Sequence, residues 1–399
     1  MKELSKNSII GVIGAGTMGS GIAQVAASAG HKTILLDANR AALEKAENAM
    51  KATLAKLIEK GKMKQEDAES IQSRIQYSTS IKDFKGCSLV IEAIIEKIEV
   101  KQQLFSELEK IVDEDCILAT NTSSLSITSI AAACANPKRI IGIHFFNPAP
   151  VMPLVELIPG ISTDDFLVSP LKKLLTDWGK SVVIAKDTPG FIVNRLARSY
   201  YGESIRIYEE SWEGVPLGVN GFATIDWALK EVGGFKMGPF ELMDLIGNDI
   251  NYTVTETVWT QFFYDPRFKP SLTQKRLFEA KRFGKKSGFG YYDYSENAVV
   301  PTPEKNSDLG QKIFLRVIAM LINEAIDALY LSIANRDDLD TAMMKGVNYP
   351  KGLLKWCDEI GAEKILATLE NLQSEYSEER YRPSVLLKKI VKENKKFYH

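Results

Sequence analysis

Residues 8–37 restrict this chain to a narrow set of folds. Residues 8–13 (Ser-Ile-Ile-Gly-Val-Ile) form a short apolar run suited to a buried strand. Gly14-Ala15-Gly16-Thr17-Met18-Gly19 follows at once, then a helical stretch over 20–29 and a second strand over 33–36 that ends in Asp37. The order is strand, glycine turn, helix, strand, acid. Gly14 allows a tight turn, Gly16 lets a pyrophosphate approach the backbone, and Gly19 lets the helix pack close to the sheet. The helix start offers unpaired N–H groups to phosphates, with Thr17 and Met18 in its first turn. Asp37 can accept hydrogen bonds from both ribose hydroxyls and would repel a 2′-phosphate. NAD is therefore favoured over NADP, although Arg40 lies three residues on. A glycine turn in a nucleotide-free α/β protein would share the turn but would not need the acid.

Strand candidates continue at 88–92, 116–120, 139–145, 153–158 and 181–185, with helical stretches at 39–74, 97–112 and 164–178. This alternation predicts a mostly parallel sheet covered by helices. The charged stretch 39–74 is too long for an ordinary crossover and is expected to protrude as a helical hairpin broken near Gly61. Past Thr188-Pro189-Gly190 the strand signal stops and helical periodicity takes over. The expected architecture is an α/β Rossmann-type N-terminal domain (1–186) followed by two all-α domains, 187–296 and 308–399. The linker 297–307 between them contains Pro301 and Pro303.

The two helical domains are expected to be copies of each other. Arg195, Glu203 and Ile205 recur at the same spacing as Arg316, Glu324 and Ile326. Asp226, Ala228, Gly238, Asp244, Ile246 and Gly247 recur as Asp340, Ala342, Gly352, Asp358, Ile360 and Gly361.

Composition removes several classes of function. The 399 residues carry a net charge of −1, which argues against nucleic acid or an anionic membrane as partner. No segment is long and apolar enough to span a bilayer, and residues 1–6 lack the apolar core of a signal peptide. Cys87, Cys116, Cys134 and Cys357 show no paired spacing and read as reduced thiols of a cytoplasmic protein. Three dispersed histidines make a zinc site unexpected.

Of those histidines, His31 follows Gly30 at a strand start and His399 ends the chain. His144 stands in His-Phe-Phe-Asn-Pro, with Glu156 twelve residues on. A histidine braced by a carboxylate is suited to proton transfer near neutral pH. By itself, a histidine at a strand end is more often a packing residue.

Seven stretches together resemble the L-3-hydroxyacyl-CoA dehydrogenase family. They are Gly-Ala-Gly-Thr-Met-Gly-Ser-Gly-Ile-Ala (14–23), Val-Ile-Glu-Ala-Ile-Ile-Glu (90–96), Asn-Thr-Ser-Ser-Leu (121–125), His-Phe-Phe-Asn-Pro (144–148), Asp-Thr-Pro-Gly-Phe-Ile-Val-Asn-Arg (187–195), Met-Gly-Pro-Phe-Glu-Leu (237–242) and Gly-Lys-Lys-Ser-Gly-Phe-Gly-Tyr-Tyr (284–292). The duplicated tail is similar to that of the longer bacterial members. The resemblance implies NAD-dependent oxidation of a 3-hydroxyacyl-CoA thioester, with His144 as general base and Glu156 as its orienting partner. It implies that Ser123 and Asn194 reach the reacting end of the substrate, and that Ser123, Asn147, Glu96, Lys101 and Lys286 lie by the nicotinamide half of NAD. Thr53, Lys60 and Lys101 match coenzyme A contacts. From the residues alone, Ser123, Ser124 or Ser126 could equally cap a helix, Asn147 could be a turn residue, and Glu96 and Lys101 could be an exposed pair. Position 315, which aligns with Asn194 in the second tail copy, is Leu, so that copy would keep the fold without the site. Short members pair through their single tail domains. A chain with two copies is thus expected to be a monomer, with a homodimer as the alternative. The rival functions are a related NAD-dependent dehydrogenase of a free hydroxy acid, or a catalytically silent NAD-binding protein.

Overall fold

The computed structural model describes residues 4–398, and His399 lies outside the described residues. The chain forms two compact units that meet at Thr188–Pro189.

The first unit is built on an eight-stranded sheet. Its strands are β1 (Ile10–Ile13), β2 (Thr33–Leu36), β3 (Ile75–Ser78), β4 (Leu89–Glu92), β5 (Ile117–Thr120), β6 (Ile140–Phe145), β7 (Leu154–Pro159) and β8 (Ser181–Ile184). They lie in the order β3-β2-β1-β4-β5-β6-β7-β8. All neighbours are parallel except β6 and β7. The central strands β1, β4, β5 and β6 are buried throughout, as continuous apolar runs require in a sheet covered on both faces. Strand β3 has no counterpart among the expected strands. Ile-Gln-Tyr-Ser is a short edge strand, partly exposed and without an apolar run to announce it. Strand order reverses at β1, between β2 and β4, and such a reversal opens a crevice at the carboxyl ends of the strands.

Helices α1 (Thr17–Ser28), α2 (Arg40–Glu59), α3 (Gln65–Ser73), α4 (Ile98–Leu108), α5 (Ile127–Ala131) and α6 (Val168–Asp177) cover the sheet. Ile22 of α1, Leu43 of α2, Ile71 of α3 and Leu171 of α6 join one core with Val12, Ile91 and Ile143. Phe105 and Leu108 of α4 and Ile130 of α5 join a second core with Ile13, Val90 and Leu118. Alternate residues of one strand thus feed opposite faces. The α2–α3 hairpin turns around Gly61, whose φ is 65°. It is less detached than its charge suggests: Leu43, Ala46, Met50 and Leu54 anchor α2 to the core, and only beyond Leu54 does α2 lack a buried residue.

The second unit is helical, with α7 (Val193–Leu196), α8 (Arg198–Glu209), α9 (Val219–Trp227), α10 (Pro239–Ile246), α11 (Asn248–Gln261), α12 (Leu272–Glu279), α13 (Ser307–Tyr330), α14 (Arg336–Gly346), α15 (Leu353–Ile360), α16 (Ala362–Tyr376) and α17 (Val385–Glu393). Residues 189–399 fall in one compact unit. Helix α13 explains why: 15 of its 24 residues are buried. A helix apolar on nearly every side belongs inside a core and cannot form the surface of a separate domain.

Buried ion pairs lock α13 in place. Arg195 Nε donates to Glu324 at 2.5 Å, and Arg316 Nε donates to Glu203 at 2.6 Å. Asp226 accepts from the backbone N–H groups of Phe240 and Glu241, and Asp340 accepts from those of Leu354 and Lys355. Asp244 accepts from Tyr291 and Tyr292, and Asp358 from Phe397 and Tyr398. Each aspartate satisfies helix-end or turn donors that would otherwise be unpaired.

Arg316→Ala should cost about 3–5 kcal/mol of stability, because it strands a buried carboxylate. Glu203 is 2% exposed and would keep only the Tyr381 hydroxyl at 3.0 Å. Urea unfolding of variant and parent measures this, and a loss below about 1 kcal/mol would contradict it.

Candidate active site

The β6–β7 reversal sets the site. Antiparallel pairing puts His144 directly across from Glu156. Opposed residues of an antiparallel pair point to the same face, with their Cβ atoms about 5 Å apart. The imidazole Nδ1 lies 2.7 Å from Glu156 Oε2. Glu156 is fully buried and His144 is 6% exposed. A carboxylate oxygen only accepts, so Nδ1 carries the hydrogen and Nε2 is the basic nitrogen. The Phe146 ring packs 4.5 Å from the imidazole and limits its rotation. Asn147, exposed in the turn after β6, begins a cis peptide bond to Pro148.

A second polar cluster joins the ends of β4 and β5. Glu92 is completely buried and accepts from Lys101 Nζ, from Thr120 Oγ1 at 2.7 Å and from Ile94 N at 2.7 Å. Lys101 also meets Glu96 at 3.2 Å. Glu96 in turn accepts from the Thr122 hydroxyl and from Ser123 N at 2.9 Å. Burial alone would raise the Glu96 pKa. The Lys101 charge and the Thr122 and Ser123 hydrogen bonds outweigh it and hold the carboxyl below its ordinary value. Lys101 is 1% exposed, and its ammonium is taken by two carboxylates. That placement makes it a support for Glu96.

The cap question resolves at Ser126. Its hydroxyl accepts from Ser129 N at the start of α5. Asp187 adds bonds from Ile127 N at 3.0 Å and Thr128 N at 2.8 Å. Ser123 is thus not the cap of α5; its backbone is tied to Glu96. Three contributors lie in the resembling stretches 90–96 and 121–125 but have no role from the sequence alone: Glu92, Thr122 and Asn121. Asn121 Oδ1 accepts from Phe145 N at 2.8 Å and ties the end of β5 to the residue after His144. Only strand adjacency brings them together.

The glycine turn is built for a dinucleotide. Gly14 has φ of 100°, and a Cβ there would lie 2.6 Å from the Ala93 carbonyl. At Gly19 a Cβ would lie 1.8 Å from the Gly14 carbonyl, so only glycine lets α1 sit against the turn. At Gly16 a Cβ meets nothing within 4 Å, so the backbone there faces open space. Helix α1 begins after Gly16 with no side-chain cap and no acid in its first turn. These orphan N–H groups suit a pyrophosphate. Asp37 ends β2 and is anchored by Ala15 N at 2.8 Å and Asn39 N at 2.9 Å, which fixes it beside the turn.

Thr53 and Lys60 are exposed on the hairpin, Thr53 at α2 and Lys60 at its end. In the second unit, Asn194 lies on α7, and Lys286 pairs with Asp249 at 2.6 Å.

Known proteins match this arrangement along the chain. The family model "3-hydroxyacyl-CoA dehydrogenase, NAD binding domain" matches residues 9–188, and its C-terminal-domain counterpart matches residues 190–294 and 313–397. The chain belongs to the 3-hydroxyacyl-CoA dehydrogenase family. It is an NAD-dependent oxidoreductase of 3-hydroxyacyl-CoA thioesters. Among its relatives, 3-hydroxyadipyl-CoA dehydrogenase of Escherichia coli K12 is 39% identical over 95% of this chain and 96% of its own length. The human mitochondrial hydroxyacyl-coenzyme A dehydrogenase is 41% identical over 71% of this chain and 90% of its own. The crystal structure of 3-hydroxybutyryl-CoA dehydrogenase from E. coli K12 superposes with a TM-score of 0.90, covering 97% of this chain and 98% of that one at 39% identity.

Lys101→Met should raise the Glu96 pKa. With the attraction gone, only the Thr122 and Ser123 hydrogen bonds oppose burial. In the parent the depressed pKa gives stability that is fully present above the ordinary glutamate value and is lost as pH falls through the folded value. The variant should have less of that contribution to lose. A carboxyl NMR titration of Glu96 that does not move between parent and variant would refute the assignment.

Proposed function

We propose that His144 is the general base that takes the proton from the 3-hydroxyl of an (S)-3-hydroxyacyl-CoA, giving the 3-oxoacyl-CoA reversibly. The observation that carries this reading is the buried His144–Glu156 pair, 2.7 Å apart. Glu156 fixes the imidazole tautomer and stabilises the imidazolium that forms. Ser123 and Asn194 hydrogen-bond the reacting end of the substrate. Ser123 is supported by its tether to Glu96, and Asn194 by its position just after the Gly190 turn. Gly14, Gly16, Thr17, Met18, Gly19 and Asp37 hold the adenosine and pyrophosphate portion of NAD. Glu96, held by Lys101, faces the nicotinamide-side ribose, with Ser123, Asn147 and Lys286 contributing to the same half. Bound there, NAD supplies the hydride acceptor. Thr53 and Lys60 offer a hydroxyl and a cation to the coenzyme A portion, and their exposure on the hairpin suits that role. The relative named for 3-hydroxyadipyl-CoA extends the substrate class to acyl chains that end in a carboxylate. Unbonded cysteines support a cytoplasmic setting, and no helix among the described residues is long and apolar enough to cross a membrane.

His144→Gln should leave NAD affinity unchanged and lower turnover about 100- to 10,000-fold, the usual worth of general-base help. Oxidation of NADH by acetoacetyl-CoA, followed at 340 nm (roughly the absorption maximum of reduced nicotinamide), reads turnover, and NADH fluorescence reads binding. Near-normal turnover refutes the role of His144.

The same reading covers the tail. Residues 308–399 are a degenerate copy of 187–296 that stands in for a partner subunit within one chain, which makes the protein a monomer. Three matched sets of contacts support this: the Arg195–Glu324 pair with the Arg316–Glu203 pair, the aspartates at 226 and 340, and those at 244 and 358. The split match of the C-terminal-domain model, 190–294 and 313–397, supports it independently. Leu315 in place of an asparagine leaves the second copy without a substrate group. Deleting 308–399 should yield an insoluble chain or a new dimer in sedimentation. A soluble, active, monomeric truncation overturns the proposal.

A further inference from the structure

Several enclosed guanidiniums of the helical unit are neutralised on the spot. Arg195 meets Glu324 and Asp327, Arg267 meets Asp265, Glu324 and Asp327, and Arg316 meets Glu203 and Glu210. Arg198 and Arg380 differ: among the described residues neither has a carboxylate within salt-bridge distance, and Arg198 is 6% exposed. Arg198 is the one beside Asn194. Its Nε donates to the Asn194 carbonyl at 2.9 Å. Its Nη1 donates to Thr255 Oγ1 at 3.0 Å and to the Asn251 carbonyl at 3.4 Å. Nη2 has no partner among the described residues. The Tyr201 ring lies 5.0 Å beneath the guanidinium carbon.

Burying a cation with neutral partners alone is expensive, and the desolvation is enough to lower even an arginine pKa. Packing does not explain the residue, because an uncharged side chain could reach the same carbonyls. Two further donors nearby are unsatisfied. The Tyr349 hydroxyl is buried with no hydrogen-bond partner, and so is Nδ2 of Asn251, whose carbonyl Arg198 touches. A buried cation bordered by unpartnered donors is the electrostatic complement of an anion. Arg198 also sits one helical turn from Asn194 and bonds its backbone.

We propose that Arg198 is the specificity-determining residue for acyl chains that end in a carboxylate, binding that distal group through Nη2. The inference rests on the assignment of Asn194 to the substrate. The free Nη2 presents N–H donors on a fixed cation, which a carboxylate oxygen meets in a charge-assisted hydrogen bond. A methyl-ended chain in the same place would leave the charge and its neighbours unpaired. Discrimination therefore works by penalty as well as attraction.

The test compares two six-carbon thioesters that differ only at the far end, 3-hydroxyadipyl-CoA and 3-hydroxyhexanoyl-CoA, on the full chain. The parent should favour the carboxylate-ended substrate in kcat/KM. Arg198→Met should lower that ratio roughly 100-fold or more. Arg198→Lys keeps the charge but not the planar guanidinium, and should retain part of the preference. Tyr349→Phe, which removes only a hydroxyl, should lower the ratio by a few-fold and guards against a misfolded arginine variant. A parent that turns over both thioesters equally overturns the inference alone. So does an Arg198→Met enzyme whose two kcat/KM values fall in parallel, which marks a structural arginine. A parent that turns over neither overturns the proposed function and the inference with it.

Discussion

The site depends on one reversal of chain direction. Every neighbouring pair of strands in the sheet is parallel except β6 and β7, and that pair carries both His144 and Glu156. A parallel neighbour would have offset the two side chains and required a long crossover between them. The antiparallel register sets them opposite each other within a twelve-residue span. Glu156 is fully buried, so its charge needs a hydrogen-bonded partner. The imidazole supplies it, and the demand of the buried acid becomes the orientation of the imidazole.

Around this pair the polar groups form chains in which each member fixes the next. Lys101 bridges Glu92 and Glu96, Glu96 holds the backbone at Ser123, and Asn121 holds the backbone at Phe145. Asp187 secures the start of α5 beyond them. The loops after β4 and β5 thereby gain rigidity that short polar segments would lack alone. Preorganised donors and acceptors of this kind are what a proton-transfer site requires. Fully satisfied, such a network also specifies one arrangement of the loops, because any other would strand a buried charge.

The helical unit applies the same rule to a different end. Arg195 and Arg316 are almost completely enclosed and each meets a glutamate from another helix. Such pairs add little net stability, since desolvation offsets attraction. They do penalise misregistered packing, and they fix how α13 lies against α7 and α8. Arg198 stands outside this scheme, with no carboxylate of its own.

The N-terminal fold was legible because its signals are local. A glycine turn must follow a strand and precede a helix, and the acid at the end of β2 sits at a fixed remove. The role of Gly19 was likewise readable, and its Cβ would strike the Gly14 carbonyl. Strand β3 was not legible, because a four-residue edge strand with one polar and one aromatic residue between its ends lacks an apolar run. The fusion of the helical stretches was not legible either. Periodicity shows that α13 is apolar, but not whose core it fills. The identities of His144, Glu156, Ser123 and Asn194 came from motif and spacing. The burial of Lys101 between two carboxylates, the tether from Asn121 and the unmatched charge of Arg198 came only from three dimensions. Sequence alone determines which groups a chain has and their local order, since strand, turn and helix preferences act over a few residues. Tertiary structure decides which charges meet, because an ionised group is stabilised or penalised by whatever distant segments bring within a few ångströms of it.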